Sequence, residues 1–316
     1  MESFKSTEEA GVKELLDIEK VNEEIDEKRI KLESFRGHKH FSEQEIDKDI
    51  KTCDVLKHKF ENRRNSQNEE RREQSERGLA AEFAFRNVME NYGWLAEKVK
   101  MIVTSQYDDF VRGIDSVAQI EIDPKHSEHL GFAIDFATGT NDIGEKLRRT
   151  FDDIDLGYTP AVKYFESEKT GQVKNFKLPR IVVGAGHESL ERLVSYSFEI
   201  MNGSAITESV RNEIKEDPFR FVLFGEIQAQ LSVFINRLEK VIVEANKQNK
   251  QEIMERATTS LEVHKNTLAV IQKLAEEAGA DIKTIQQHIR GDAFAMQMSK
   301  DLSLLSFTPI DLDRKP

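Results

Sequence analysis

The sequence predicts a mixed α/β unit, a central β-sheet flanked by helices, carrying long helical extensions at its N- and C-terminal ends. Three observations predict it. Apolar residues recur at helical intervals before residue 61 and after residue 217. Short apolar runs of strand length, bounded by Gly, Pro and Asp, are confined to the middle of the chain. Helix and strand signals alternate there, the order of a sheet covered by helices.

Residues 6–36 read as one helix. Ser6 and Glu9 have capping-box spacing, Val12, Leu15, Ile18, Val21 and Ile25 follow at helical intervals, and Gly37 ends it. A second helix starts at Ser42 with Glu45, and Ile46, Ile50, Cys53, Leu56 and Phe60 form a narrow apolar stripe. Such a stripe predicts an antiparallel helical hairpin or a coiled coil with a second copy or another helical partner. Residues 61–77 carry almost no apolar side chain and read either as a helical extension held by i,i+4 pairs or as a linker. The first boundary falls here, dividing the chain into 1–77, 78–203 and 204–316.

From Gly78 a more apolar helix runs to Gly93, carrying Glu82 among Leu79, Ala80, Ala81 and Phe83, with Tyr92 and Trp94 closing the core. Strands are predicted at 99–103, over the hairpin from Ile114 to Phe136, at 161–165 and at 181–183. Helices are predicted from Asn141 to Leu156 and over 188–201, and the SQYDD segment is left as polar connection. Asp217-Pro218 starts a long helix toward Asn246. Another runs from Gln251 to Ala278 with His264 in its apolar seam, and a shorter one ends before Gly291. The tail from Asp301 reads as irregular.

Composition narrows the function. The 316 residues carry a net charge of −12, against broad binding of nucleic acid through the whole surface. Residues 161–180 reverse the sign locally, with five Lys or Arg against two Glu, and read first as a solvated hairpin and second as a strip that contacts a phosphate backbone if the acidic site lies next to it. No apolar run is long enough to span a bilayer, and the polar start MESFKSTEEAG predicts a cytoplasmic protein. The single Cys53 excludes an internal disulfide and a cysteine-rich zinc site.

The chemistry centres on the 114–136 hairpin. Asp115 starts its first strand and Asp135 ends its second, so antiparallel pairing brings two carboxylates to one sheet edge, where oxygen ligands grip a divalent cation. With Gly78-Leu79-Ala80-Ala81-Glu82 on the preceding helix, Gly113-Ile114-Asp115 and Ala133-Ile134-Asp135-Phe136-Ala137-Thr138-Gly139 complete an ordered set. This set resembles the PD-(D/E)XK nuclease superfamily, in its resolvase-like and archaeal-junction-nuclease-like branch, over residues 78–201. The resemblance implies a nuclease-like α/β core that hydrolyses phosphodiester bonds of DNA or RNA with Mg²⁺ or Mn²⁺. It implies Glu82, Asp115 and Asp135 as catalytic metal ligands, joined by the Phe136 carbonyl.

One position departs from the pattern: the family's lysine two residues after the second Asp is Ala137 here. Lys163 in the next strand is the expected substitute, while Lys146, beside Arg148 and Arg149, is expected on an exposed helix surface. The departure keeps a second reading open, an inactive nuclease fold serving as a helical scaffold or interaction protein. Asp108-Asp109 reads as a turn with side-chain-to-backbone bonds rather than as carboxylates near the site. His126, Glu128 and His129 read as a surface loop rather than a zinc site.

Overall fold

The computed structural model describes residues 18–65, 69–123, 128–137, 140–167, 171–201, 208–310 and 312. Seven of these elements build the central unit: helix α3 (Glu69–Tyr92), strands β1 (Val99–Val103), β2 (Ser116–Asp123) and β3 (Glu128–Ala137), helix α5 (Thr140–Asp155), strand β6 (Arg180–Gly184) and helix α6 (His187–Met201). The sheet order is β1-β2-β3-β6. β1, β2 and β3 pair antiparallel, whereas β6 lies parallel to β3 with Asp135 opposite Val182 and Ala137 opposite Gly184. A parallel neighbour requires a crossover, and α5 supplies it. Ile143, Leu147, Phe151 and Ile154 form the face of α5 that is buried, each at most 3% exposed.

Strands β4 (Ala161–Ser167) and β5 (Gly171–Lys177) form a separate two-stranded hairpin within that crossover. Ile114, Val117 and Ala133 from the sheet pack with Val162, Phe165 and Leu178 in a small cluster of their own. The larger apolar cluster joins residues of α3, the sheet and the C-terminal helices, and it includes Val21 and Ile25 from α1 (Ile18–Lys28).

The C-terminal helices are α7 (Glu208–Lys215), α8 (Pro218–Lys247), α9 (Gln251–Glu277), α10 (Ile282–Gly291) and α11 (Ala293–Ser306). Asp217 caps α8 by accepting from Phe219 N at 2.8 Å, with Pro218 at the first helical position. Gln230 on α8 meets the outer edge of β6: its Oε1 accepts from Val182 N at 2.9 Å and its Nε2 donates to Val182 O at 2.8 Å. Arg237, 2% exposed, forks onto Asp155 at the end of α5 with bonds of 2.6 and 2.7 Å. It also donates to the carbonyls of Thr308 at 2.6 Å and Pro309 at 3.2 Å. His264 is fully buried against Phe234 with Nδ1 2.7 Å from Ser260 O, and burial pushes its pKa down to about 4. Gly184 is required by close approach: a Cβ there would lie 1.8 Å from the Phe294 ring.

Several elements differ from the sequence expectation. The helix expected over 6–36 ends at Lys28, and a 3₁₀ turn occupies Leu32–Phe35; residues 6–17 lie outside the described residues. The chain leaves the helix so that Arg29 reaches Asp109 and Leu32 and Phe35 pack under Tyr164. Helix α2 (Glu43–Asn65) starts as expected, Ser42 Oγ accepting from Glu45 N at 3.1 Å. Phe60 of its stripe stays 46% exposed, whereas Ile46, Ile50 and Cys53 are covered within the chain by Tyr164 and by Tyr107 and Phe110 of helix α4 (Gln106–Arg112). That helix is the segment expected to be a polar connection. Ser105 caps it, accepting from Asp108 N. Strand β5 and α7 are further additions, and the expected irregular tail is helical through Ser306, in α11, which starts on the cap of Asp292 to Ala295 N.

Candidate functional site

Asp115 reaches its place through a glycine. Gly113 ends α4 in the left-handed region (φ 63°), which lets the chain reverse directly into β2. Asp115 N donates to Ile134 O at 2.9 Å, and Asp115 Oδ2 accepts from Phe136 N at 2.7 Å. The hairpin therefore brings Asp115 beside Asp135, as its pairing predicts. Glu82, on the part of α3 that enters the core, approaches from outside the sheet and takes Arg86 Nη2 at 3.4 Å. Asp109 joins them from α4, held by Arg29 Nη1 at 2.8 Å.

Burial pushes the carboxyls of Asp109, Asp115 and Asp135 above the usual range. Neighbours add to it: Asp135 raises Asp109, Asp109 raises Asp115, and Asp115 raises Asp135. Glu82 is pushed up to about 8, first by burial and then by Asp115. One Asp135 oxygen, Oδ2, is buried without a hydrogen-bond partner.

The cation here is Lys146. Its ammonium pairs with Asp135 Oδ1 and donates to the Phe136 carbonyl at 2.9 Å. Burial works against its charge, but Asp135 and Asp115 outweigh that and raise its pKa. Lys146 is therefore not on the exposed face expected for it. It flanks the apolar stripe of α5, one turn from Ile143 and from Thr150, both fully buried. That position was readable as a helical neighbour of the stripe.

Lys163, the expected substitute, is elsewhere. Its ammonium pairs with Asp49 and, at 2.9 Å, with Glu45, and lies 4.8 Å from the Tyr107 ring centre. The reason is topological: β4 belongs to the separate hairpin, with Val162 and Phe165 packed on the main sheet and Lys163 and Tyr164 turned to Asp49 of α2. Lys174 of the basic strip pairs with Glu45 as well. Asp108 makes side-chain-to-backbone bonds, but from a helix and to a distant strand, not within a turn: its Oδ1 and Oδ2 accept from Lys163 N at 2.6 Å and Tyr164 N at 3.0 Å. Its neighbour Asp109 instead faces the carboxylates, which adjacent residues on a helix allow. Arg29 escaped the sequence reading because its contact spans 80 positions. Arg86 was signalled by its i+4 spacing from Glu82. His126 lies outside the described residues.

Among the described residues, no three His, Cys, Asp or Glu side chains are gathered closely enough to hold a metal ion between them. Hard oxygen donors nonetheless suit Mg²⁺, which takes one or two carboxylates and completes its shell with water and substrate oxygens. Asp115 and Asp135, the second with a free buried oxygen, fit that requirement.

Glu82 gives the cluster a pH signature. Folding raises its pKa from 4.5 to about 8, so between those values the folded protein holds a proton that the unfolded chain has released. Stability attributable to Glu82 is present below pH 4.5 and declines as pH rises toward 8. Glu82→Gln is expected to stabilise the protein at pH 8 by a few kcal/mol, and much less at pH 5. Denaturant unfolding at the two pH values measures it, and an equal effect at both would show that Glu82 is not the titrating group.

No protein-family model, curated protein or solved structure matches the chain. Among the described residues no helix is long and apolar enough to cross a membrane.

Proposed function

We propose that the chain is a metal-dependent phosphodiesterase acting on DNA or RNA, with its site at Asp115, Asp135 and Lys146. The observation that carries the reading is the Lys146 ammonium on Asp135 and the Phe136 carbonyl. It supplies from α5 the cation that Ala137 cannot. The element order supports the same reading: a helix, three antiparallel strands, a crossover helix and a fourth strand parallel to the third. The resemblance carried by the three motifs would call for an order of this kind.

Asp115 and Asp135 would hold Mg²⁺ or Mn²⁺, with Glu82 nearby as a protonated carboxyl near neutral pH. The metal, when bound, would polarise the phosphate and lower the pKa of an attacking water. Lys146 would hold positive charge where the phosphate gains negative charge, and the Phe136 N–H fixes the direction of Asp115. Buried walls exclude bulk water from the side of Asp135 facing the core.

A second reading, an inactive nuclease fold kept as a scaffold, is favoured by the lack, among the described residues, of three gathered metal-capable side chains and by an Asp135 already paired with Lys146. Cleavage separates the two. Plasmid and single-stranded DNA and RNA, each incubated with Mn²⁺, should be nicked or shortened by the wild type and not by Asp115→Ala or Asp135→Ala. Equal products from all three proteins, or none from the wild type on any substrate, would leave the scaffold reading.

A further inference from the structure

The end of α4, the last turns of α5, the turn at residues 157–160, β5, the start of β6 and α9 converge on a cavity of about 500 Å³. Its charge is one-sided. Arg112, Arg149, Lys177, Arg180 and Arg256 line it, against the single carboxylate of Asp153. The protein as a whole is acidic, so five cations here are a concentration with a local cause.

Two of the five, Arg180 and Arg256, have incomplete hydrogen bonds. Arg180 is 4% exposed, and its Nη2 donates to Arg112 O at 2.8 Å. Its Nε has no hydrogen-bond partner, and its Nη1 has only Asp153 Oδ2 at 3.5 Å. Arg256 spends Nη1 on Tyr158 Oη at 2.8 Å and Glu252 at 2.9 Å, and its buried Nε is also unmatched. Buried donors of this kind ordinarily find acceptors, and a guanidinium fork matches the oxygens of a phosphate. The guanidinium of Arg256 lies 4.3 Å from the centre of the Tyr158 ring, which fixes its plane at the wall.

Gly113 separates Arg149 of this cavity from the carboxylate cluster: a Cβ built on it would stand 2.2 Å from Arg149 Nη1 and 3.8 Å from Asp135 Oδ2. The volume is in the range of pockets that enclose a small ligand, enough for one nucleotide.

We propose that this cavity binds the phosphate of a nucleotide, free or within a strand, with Arg180 and Arg256 as the gripping side chains. The anion chemistry stands on the cavity itself; the choice of a nucleotide as its carrier rests on the phosphodiesterase reading. Of the basic strip, Lys177 and Arg180 are then the members that face a ligand, while Lys163 and Lys174 hold α2.

Calorimetric titration of the full chain in EDTA at low salt tests it, using thymidine 5′-monophosphate, thymidine, and an oligothymidylate without terminal phosphates. Thymidine should not bind. Binding of the monophosphate assigns the pocket to a free or terminal phosphate; binding of the oligonucleotide alone assigns it to a strand's diester. In either case Arg256→Gln and Arg180→Gln should weaken the interaction about tenfold or more. The Arg256 side chain is 28% exposed, so its variant keeps the test alive if Arg180→Gln does not fold. No binding of either phosphate probe, or equal affinity in wild type and Arg256→Gln, overturns the proposal. Because binding is read in EDTA and cleavage with Mn²⁺, a protein that binds but does not cleave with Mn²⁺ fails only the hydrolytic reading, and one that cleaves but binds equally well without Arg256 fails only this one.

Discussion

Lys146→Met is expected to reduce Mn²⁺-dependent cleavage by about 10²-fold or more, the scale on which a positioned charge at a developing anion acts. Methionine keeps the reach of the side chain and removes its charge. The same change leaves Asp135 buried without its ion pair, so the carboxyl should take up a proton more readily and shift the lower limb of the pH–rate profile upward. Lys146→Arg should recover part of the rate, because the charge returns with different geometry. Wild-type cleavage by the methionine variant would remove Lys146 from the mechanism. A loss of rate with an unchanged pH profile would mean that Lys146 does not act on Asp135.

Arg237→Ala should cost about 3–5 kcal/mol of stability, the range for breaking a buried ion pair from one side. The guanidinium is nearly inaccessible, forks onto Asp155, and holds the carbonyls of Thr308 and Pro309. Removing it leaves a carboxylate and two carbonyls without donors, at the place where α5, α8 and the chain beyond α11 meet. Urea unfolding measures the loss. Replacing both partners with apolar side chains, Arg237→Met with Asp155→Leu, should recover much of it, since no uncompensated charge stays buried. A double variant no better than Arg237→Ala would mean that the carbonyl bonds, not the ion pair, dominate.

The elements easiest to read from sequence were those with strong local signals. Asp217-Pro218 marked the start of α8, and Ser42 with Glu45 marked that of α2. Asp115 and Asp135 were readable as neighbours because hairpin pairing is a short-range constraint. Local patterns could not show that Arg29 leaves its helix to meet Asp109, since that contact forms only once α1 packs on the central unit. They also could not choose between Lys146 and Lys163. The choice turned on whether β4 joins the main sheet, and β4 pairs only with β5. Asp108 and Asp109 illustrate the same limit: two adjacent aspartates look alike in sequence, yet one ties α4 to β4 and the other faces the carboxylates.

The amide of Gln230 has a consequence beyond helix–sheet contact. An outermost strand offers its free N–H and C=O groups to any extended chain that meets it, which is how sheets recruit foreign strands and grow into fibrils. By occupying both groups of Val182, one side chain imitates a neighbouring strand at that point and blocks further addition next to β6. At Val182 the edge of the parallel strand is thus closed to a templating chain.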